Sequence, residues 1–535
     1  MKKLFLLLLV FALAGVIGVP QAIAERYGGT FHFVAPYGSS VSSLDAHRTT
    51  RTQDAIVCMS IHRALYNWDA EQSKPVLELA ESVEVSPDQK VYTYKLRKNA
   101  KFHNGRTMTA DDIIWSYNRI MSPKIASPAA RYVRNIQGAV AVEGGEAQSI
   151  LGLKKIDDYT LEMTLEKPGD PAYFLFRTMT AILPKEVVEA KGDGFATSPV
   201  GLGPFKFVKW VRGSEIVMEK FPEWYKKGRP YLDKVVYKIM GEGAARDLAF
   251  RSKELDAINL GSAQYQVYAK DPKLSKNLLT VAEMYTRHVG FNLRLDKFKD
   301  KRIRQAFNHA INKDLIIDKY VKGKAFAAKG WLPSSSPAFN KEAKGYEYNP
   351  EKAKQLLKEA GIPNGISFEL VTTDSKSYGI GIIEACMPFL ANVGIELKPK
   401  LVESAVNQEL VYVKQDFESY VMSFNSGPDP LTTMKQWHSK NPAHAGNYIG
   451  YSNPEYDAVV DAAEKETDPV KRIELLKKAD GIFMADAPMW FFNYNKAVIA
   501  YQPWVHGMQS NPVEAMFQDM DKIWVEESSP RAKKK

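Results

Sequence analysis

Tyr92-Thr93-Tyr94-Lys95-Leu96-Arg97, then Lys101-Phe102-His103-Asn104-Gly105, then Thr109-Ala110-Asp111-Asp112: taken in order, these residues write a strand, a turn and the start of a helix. Tyr92, Tyr94 and Leu96 alternate with polar neighbours, which puts one face of a strand on a core and the other toward water. Asn104-Gly105 is a strong turn signal, because both residues tolerate the positive φ that tight turns need. Thr109 caps a helix whose first turn carries Asp111 and Asp112, ahead of the apolar Ile113, Ile114 and Trp115. The two acids therefore read as helix-start residues rather than as an acid pair.

The same signals recur outward from this stretch. Tyr159, Leu161, Met163 and Leu165 alternate with polar residues, as do Val235, Tyr237 and Ile239. Beyond them the punctuation becomes helical. Asn349-Pro350, Asn453-Pro454 and Asp468-Pro469 each pair a capping side chain with a proline suited to the first helical position. Gly361 closes the first of these helices. Asp300 starts an apolar stripe of Ile303, Ala306, Phe307, Ala310 and Ile311, which is core spacing. Further strands are expected between Met489 and Ile499. Strand-rich and helix-rich regions together read as a mixed α/β protein with at least two lobes.

Composition sets the bounds. The chain has 535 residues, 45% hydrophobic and 25% charged, so it is an ordinary globular protein of several folding units. Its two cysteines, Cys58 and Cys386, exclude a disulfide framework and any multi-cysteine metal site. The formal charge is +10, but Lys2, Lys3 and the terminal Arg531-Ala532-Lys533-Lys534-Lys535 hold six of those charges. The rest are dispersed, which argues against a nucleic-acid partner. The last ten residues read as a frayed basic tail. Lys2-Lys3, the apolar run Leu4–Val19 and Ala22-Ile23-Ala24 have the pattern of a signal peptide cleaved after Ala24. The run is too short to span a bilayer, so an exported, periplasmic protein is expected.

Catalytic patterns are missing from the sequence. It contains no G-x-S-x-G elbow, no H-E-x-x-H and no phosphate-binding glycine-lysine loop. Gly201-Leu202-Gly203-Pro204 lacks the third glycine of a dinucleotide fingerprint and reads as a turn. The nine histidines are scattered, and His438 and His444 stand six apart, which is not a ligand spacing on a helix face. No catalytic residue, metal or cofactor is expected.

Several stretches carry a resemblance. Leu79-Ala80-Glu81-Ser82 with the opening quotation, Pro199-Val200-Gly201-Leu202-Gly203-Pro204-Phe205-Lys206-Phe207, Phe291-Asn292 with Asp300-Lys301-Arg302-Ile303-Arg304-Gln305-Ala306-Phe307, Tyr348-Asn349-Pro350-Glu351-Lys352-Ala353 and Tyr451-Ser452-Asn453-Pro454-Glu455-Tyr456-Asp457 occur in one order over nearly the whole chain. Together they resemble the family 5 extracellular solute-binding proteins, the dipeptide, oligopeptide and nickel-type receptors of ABC importers. The resemblance implies a two-lobed periplasmic binding protein fold (type II-like, α/β with mixed sheets) that closes on a solute and docks on a membrane permease. It implies a first lobe of 25–58, 199–287 and 497–525, an inserted subdomain 59–198, a second lobe 288–496 and a basic tail 526–535. A monomer is expected. His103 takes a structural role in this reading. Cys58 and Cys386 fall in different lobes, so both are expected unpaired. A secreted hydrolase and a periplasmic holdase chaperone are the competing readings.

The resemblance also implies site residues. In peptide-binding members a Trp–x–x–Asp–x–Pro–Asp–Pro segment lines the cleft, and its first Asp pairs with the ligand's amino group. Here the segment is Ser423-Phe424-Asn425-Ser426-Gly427-Pro428-Asp429-Pro430, which puts serine at both the Trp and the anchor positions. Asp429 either substitutes for the anchor or orders the turn between two prolines. Asn425 offers two donors and an acceptor. Phe424 and Trp437 either stack on a planar or sugar-like face or belong to the core. Tyr285 and Arg287 lie where the family's chain crosses between lobes, and Arg287 suits a carboxylate or phosphate. Tyr37 and Ser39 fall in a loop that the family places beside the pocket. Without the anchor, unmodified peptides are expected to bind weakly. A polyhydroxylated or anionic solute, an oligosaccharide or an opine-like compound, is expected to be preferred. The identity of the solute and of the cognate permease stays open at this level.

Overall fold

Two long antiparallel strands, Leu278–Phe291 and Met489–Tyr501, organise the molecule. The computed structural model describes residues 25–34, 41–49, 51–241, 243–374, 379–442, 446–466 and 468–533. The signal-like start and the loop holding Tyr37 and Ser39 lie outside the described residues.

The long strands sit in the middle of an eleven-stranded mixed sheet and change neighbours halfway. At one end Ala257–Asn259 pairs with the last residues of Met489–Tyr501, and Thr30–Val34, Lys234–Lys238, Glu215–Lys220 and Phe205–Val211 continue outward. At the other end Ser419–Asn425 pairs with residues 285–291, and Ile366–Thr372 and Ile395–Leu401 follow. Between these halves the register slips from Ala282↔Lys496 to Thr286↔Tyr494. Glu283, Met284 and Tyr285 are therefore unpaired along that edge. A bulge of this kind kinks and twists the strand locally, and here it falls where the two halves of the sheet meet.

Each half has its own core. Phe31, Phe33, Tyr237 and Cys58 share one cluster, and Phe291, Phe307, Phe368 and Cys386 share another. Both cysteines are unpaired and buried, as expected. A further cluster around Trp331, Trp437 and Phe483 packs beside the second. The strands Ala80–Val85, Val91–Leu96, Leu153–Asp157 and Thr160–Thr164 form a separate antiparallel sheet with its own core, which includes Tyr94, Phe102 and Tyr117.

The sequence motifs explain local joins. Thr109 and Asp112 form a reciprocal capping box on the helix Ala110–Met121. Asn349, Asn453 and Asp468 each accept backbone N–H bonds at a helix start with proline in the first turn. The His103 ring bonds to the Gly203 carbonyl at 2.9 Å, and its backbone N–H donates to the Gly201 carbonyl at 2.9 Å. Burial pushes this imidazole down to about 3, so it stays neutral, in keeping with its structural role. Side chains at Gly201 or Gly203 would collide with the Ile61 and Ser60 carbonyls, which is the physical reason for both glycines.

The C-terminal reading needs correction. Residues 526–533 are docked, not frayed. Thr30 N–H donates to the Arg531 carbonyl at 3.0 Å, and the Arg531 guanidinium pairs with the fully buried Asp256. A buried acid supplied the partner that local sequence could not reveal.

One buried group gives an isolated pH test. Asp480 accepts the Trp331 N–H at 2.9 Å, and burial raises its carboxyl to about 7. The unfolded chain ionises at lower pH than the folded one, so this group costs stability as pH rises. Asp480→Asn does not titrate. Its stability relative to wild type should improve by about 2 kcal/mol between pH 5 and pH 7. Parallel denaturant titrations at both pH values check this, and a pH-independent difference would contradict it.

Candidate functional site

Where the sheet halves meet, two adjoining cavities of about 230 and about 450 Å³ share Thr52, Tyr285 and Glu514 as common wall. The helix Thr52–Ile61 turns Thr52, Ala55 and Met59 toward the smaller one, a helix-face spacing. Opposite stand Arg131, Tyr132 and Phe176–Met179 of the separate-sheet region, the C-terminal loop Asn511–Phe517, and Tyr285 with Asn425. The larger cavity adds Glu283, Arg287, Asn407, Gln408, Tyr412, Ser423 and Asn495.

The bulge positions these groups. With Met284 out of the ladder, its N–H donates to the Pro512 carbonyl at 2.8 Å and its carbonyl accepts the Ser426 N–H at 2.9 Å. Asn425 Nδ2 donates to the Val513 carbonyl at 3.3 Å, and Asn425 Oδ1 accepts the Gly427 N–H at 2.8 Å. The C-terminal loop is thereby tied to the end of the strand Ser419–Asn425, across the gap between the halves.

Electrostatically the cleft has a basic and an acidic side. The Arg131 and Arg177 guanidiniums lie 4.7 and 4.9 Å from the centroid of the same Tyr132 ring. Arg131 donates to the Tyr132 hydroxyl at 2.7 Å, neither guanidinium forms an ion pair with a carboxylate among the described residues, and Arg177 Nε has no hydrogen-bond partner. Burial lowers the Arg177 pKa, and Arg131 adds to the effect. Gly427 lies against Arg177, where a Cβ would come within 3.4 Å of Nη2. On the other side Glu283 and Glu514 are 1% and 3% exposed. Burial raises the Glu283 carboxyl, which accepts the Ala515 N–H at 2.8 Å. Tyr285 stands between the two sides. Burial first, then the Glu514 carboxylate, raise its phenol well above the usual value.

The candidates from the sequence divide accordingly. Tyr285, Arg287 and Asn425 line the cavities, as does Ser423 at the Trp-aligned position. Arg287 also donates to Asn495 Oδ1 at 2.9 Å. Ser426 is occupied internally: its hydroxyl donates to the Met284 carbonyl at 3.2 Å. Asp429 caps the helix Pro430–Lys435, accepting the Leu431 and Thr432 N–H groups at 3.1 Å each. The turn-ordering alternative therefore describes it, and the amine-anchor alternative does not. Asp429→Ala should cost about 1 kcal/mol of stability and leave solute affinity unchanged, which denaturation and calorimetry together would check. Trp437 needs the same correction. It is fully buried, 5.2 Å from Trp331 and stacked on Phe483 at 5.5 Å, and lines neither cavity. Phe424 packs on Trp331 at 5.1 Å.

Sequence reasoning missed Arg131, Arg177, Glu283, Glu514 and Asn407. No motif marks them. Only the Thr52, Ala55, Met59 spacing was readable, and that spacing equally describes a core face.

A cleft between two halves of a sheet, crossed by two strands and lined by charged groups of both signs, defines a solute receptor that closes on its ligand. The family model for bacterial extracellular solute-binding proteins, family 5, matches residues 74–445, and the chain belongs to that family. It is similar to the glutathione-binding protein GsiB of Pectobacterium atrosepticum, with 28% identity over 91% of this chain and 93% of that one. Among solved structures it resembles DppA from Helicobacter pylori in complex with the peptide STSA, at 26% identity and a TM-score of 0.75, covering 94% of this chain and 99% of that chain. It also resembles AgaA from A. tumefaciens R10 in complex with agropinic acid, at 26% identity and a TM-score of 0.73, covering 93% and 99%. The protein is thus a periplasmic-type solute-binding receptor serving an ABC transporter permease. No helix among the described residues is long and apolar enough to cross a membrane.

Proposed function

We propose that this receptor captures a short peptide or peptide-like solute bearing a free carboxylate, and that it makes and breaks no covalent bond. One observation carries the reading: two guanidiniums lie against the Tyr132 ring on the cavity wall and pair with no carboxylate among the described residues. Like charges held together with no carboxylate partner call for an anion, and guanidinium matches a carboxylate in a bidentate fork. The names of the relatives, glutathione-binding and peptide-binding, are in keeping with this.

The expected preference for a polyhydroxylated solute has no geometric support, because Trp437 lies in a core and the Ser426 hydroxyl is used internally. Weak binding of free peptides does not follow from the missing anchor either, since Glu283 and Glu514 line the same cleft. A secreted hydrolase or a holdase has no comparable observation in its favour.

In this reading 25–58, 199–287 and 497–525 form the first lobe, with 59–198 inserted, and 288–496 form the second. The lobes close about the Glu283–Tyr285 bulge. Export with cleavage after Ala24 completes it. A thermal-shift screen of the mature protein tests the function, using dipeptides, trialanine, glutathione, agropinic acid and neutral oligosaccharides. A bound solute at a hundredfold excess over Kd adds about 2.7 kcal/mol. Stabilisation is expected from carboxylate-bearing compounds. A response to neutral oligosaccharides alone, or to none of the set, would overturn the proposal.

A further inference from the structure

The acidic side of the cleft has no counterpart in the motif that resembles the family's amine anchor, since Ser426 and Asp429 are both otherwise engaged. Granting the peptide-like solute proposed above, its amino group needs another partner. We infer that Glu283 and Glu514, with Asn407, form the ammonium subsite of this receptor, and that the ligand's ammonium group enters in exchange for a proton held between the two carboxyls.

Three features of the geometry support this. Glu283 and Glu514 come from elements far apart in sequence, the strand bulge and the C-terminal loop, yet both line the larger cavity. Ala515 N–H donates to one Glu283 oxygen at 2.8 Å, which brings the neighbouring Glu514 up to Glu283, and the Asn495 amide donates to the other oxygen. Like charges this close do not both ionise in a buried site. The third feature is independent. Asn407, 2% exposed, lines the same cavity, and its Oδ1 has no hydrogen-bond partner. A buried acceptor without a donor is costly, and an ammonium group supplies three donors.

The surrounding charges are mixed. Arg287 lies on the same strand, Lys324 precedes Ala325–Ala327 and faces Glu283, and Lys496 lies on Met489–Tyr501 close to Lys324. Burial holds Lys324 down to about 8, and it lines neither cavity. Tyr285 and, beyond it, Arg177 face the pair from the basic side. The helix start contributes the neutral Thr52 and Gln53, and the segment 404–414 contributes the neutral Asn407, Gln408 and Tyr412. Burial outweighs the nearby cations, and the Glu283 carboxyl stays above its ordinary range.

The exchange balances simply. The shared proton leaves for bulk solvent, the ammonium keeps its three protons, and both carboxylates become its acceptors. Binding of an amine-bearing ligand therefore releases a proton, whereas binding of its acetylated form does not.

Calorimetry with trialanine, N-acetyl-trialanine and glutathione, each in phosphate and in imidazole buffer at the same pH, counts the protons. Wild type should release a fraction of a proton per trialanine at every pH where the pair still holds its shared proton, and none above it. Its affinity for trialanine should rise up to tenfold per pH unit until the pair is ionised, and should exceed that for N-acetyl-trialanine by about thirtyfold or more. Glu514→Gln should lose both the release and the preference. Asn407→Ala should weaken trialanine severalfold while keeping the release. Equal affinities for trialanine and its acetyl form, with no proton released, would overturn the subsite and leave the peptide reading standing. Absence of binding by all three probes would overturn both. The wild-type comparison decides the matter even where a variant fails to fold.

Discussion

Replacing Arg177 with methionine should weaken the binding of carboxylate-bearing peptides about a hundredfold and leave the empty protein as stable as before, or more so. Two effects of opposite sign meet at this residue. In the empty cleft the guanidinium is half-buried, shares the Tyr132 ring with Arg131 and pairs with no carboxylate among the described residues. Removing such a charge relieves desolvation and repulsion. In the complex the same group meets the ligand carboxylate in a site screened from water. Truncating one partner of a buried, hydrogen-bonded charge pair costs about 2–5 kcal/mol, and about 3 kcal/mol is roughly two powers of ten in Kd. Thermal unfolding without ligand and calorimetry with trialanine separate the two effects. A fall in ligand-free stability with unchanged affinity would make Arg177 a structural residue.

Trp437→Ala should show the converse. The ring is enclosed by Trp331, Tyr448 and Phe483 and touches no cavity wall. Deleting a buried indole leaves a void that rigid neighbours fill only in part, at about 3–5 kcal/mol. The variant should unfold at markedly lower denaturant concentration, while the protein that remains folded binds solute with the affinity of wild type. A selective loss of affinity at unchanged stability would return Trp437 to the ligand.

The contrast between these two residues shows where sequence was informative. Caps and turns are local, so Thr109, Asn349, Asn453 and Asp468 could be read without knowing the fold. The strand at 92–96 likewise announces itself by period. The cleft is not local. Arg177, Glu514 and Asn407 lie in three separate segments, and each alone resembles any surface arginine, glutamate or asparagine. Glu514 reaches the cleft because a bulge at Glu283–Tyr285 frees Met284 to hold the C-terminal loop and Ser426, a contact between residues far apart in sequence. Trp437 failed for a related reason: an aromatic residue near a known cleft segment looks the same in sequence whether it faces ligand or core. The tail failed because its partner, Asp256, is distant in sequence and buried.

The most direct test of the central claim, that the interlobe cleft holds a carboxylate-bearing solute on Arg177, is native mass spectrometry of receptor purified from its producing cells, wild type beside Arg177→Met. The account predicts that wild type carries a small retained solute, identified after denaturation as having a free carboxylate, and that the variant arrives empty. A retained neutral sugar, or the same solute at equal occupancy in both proteins, would contradict it.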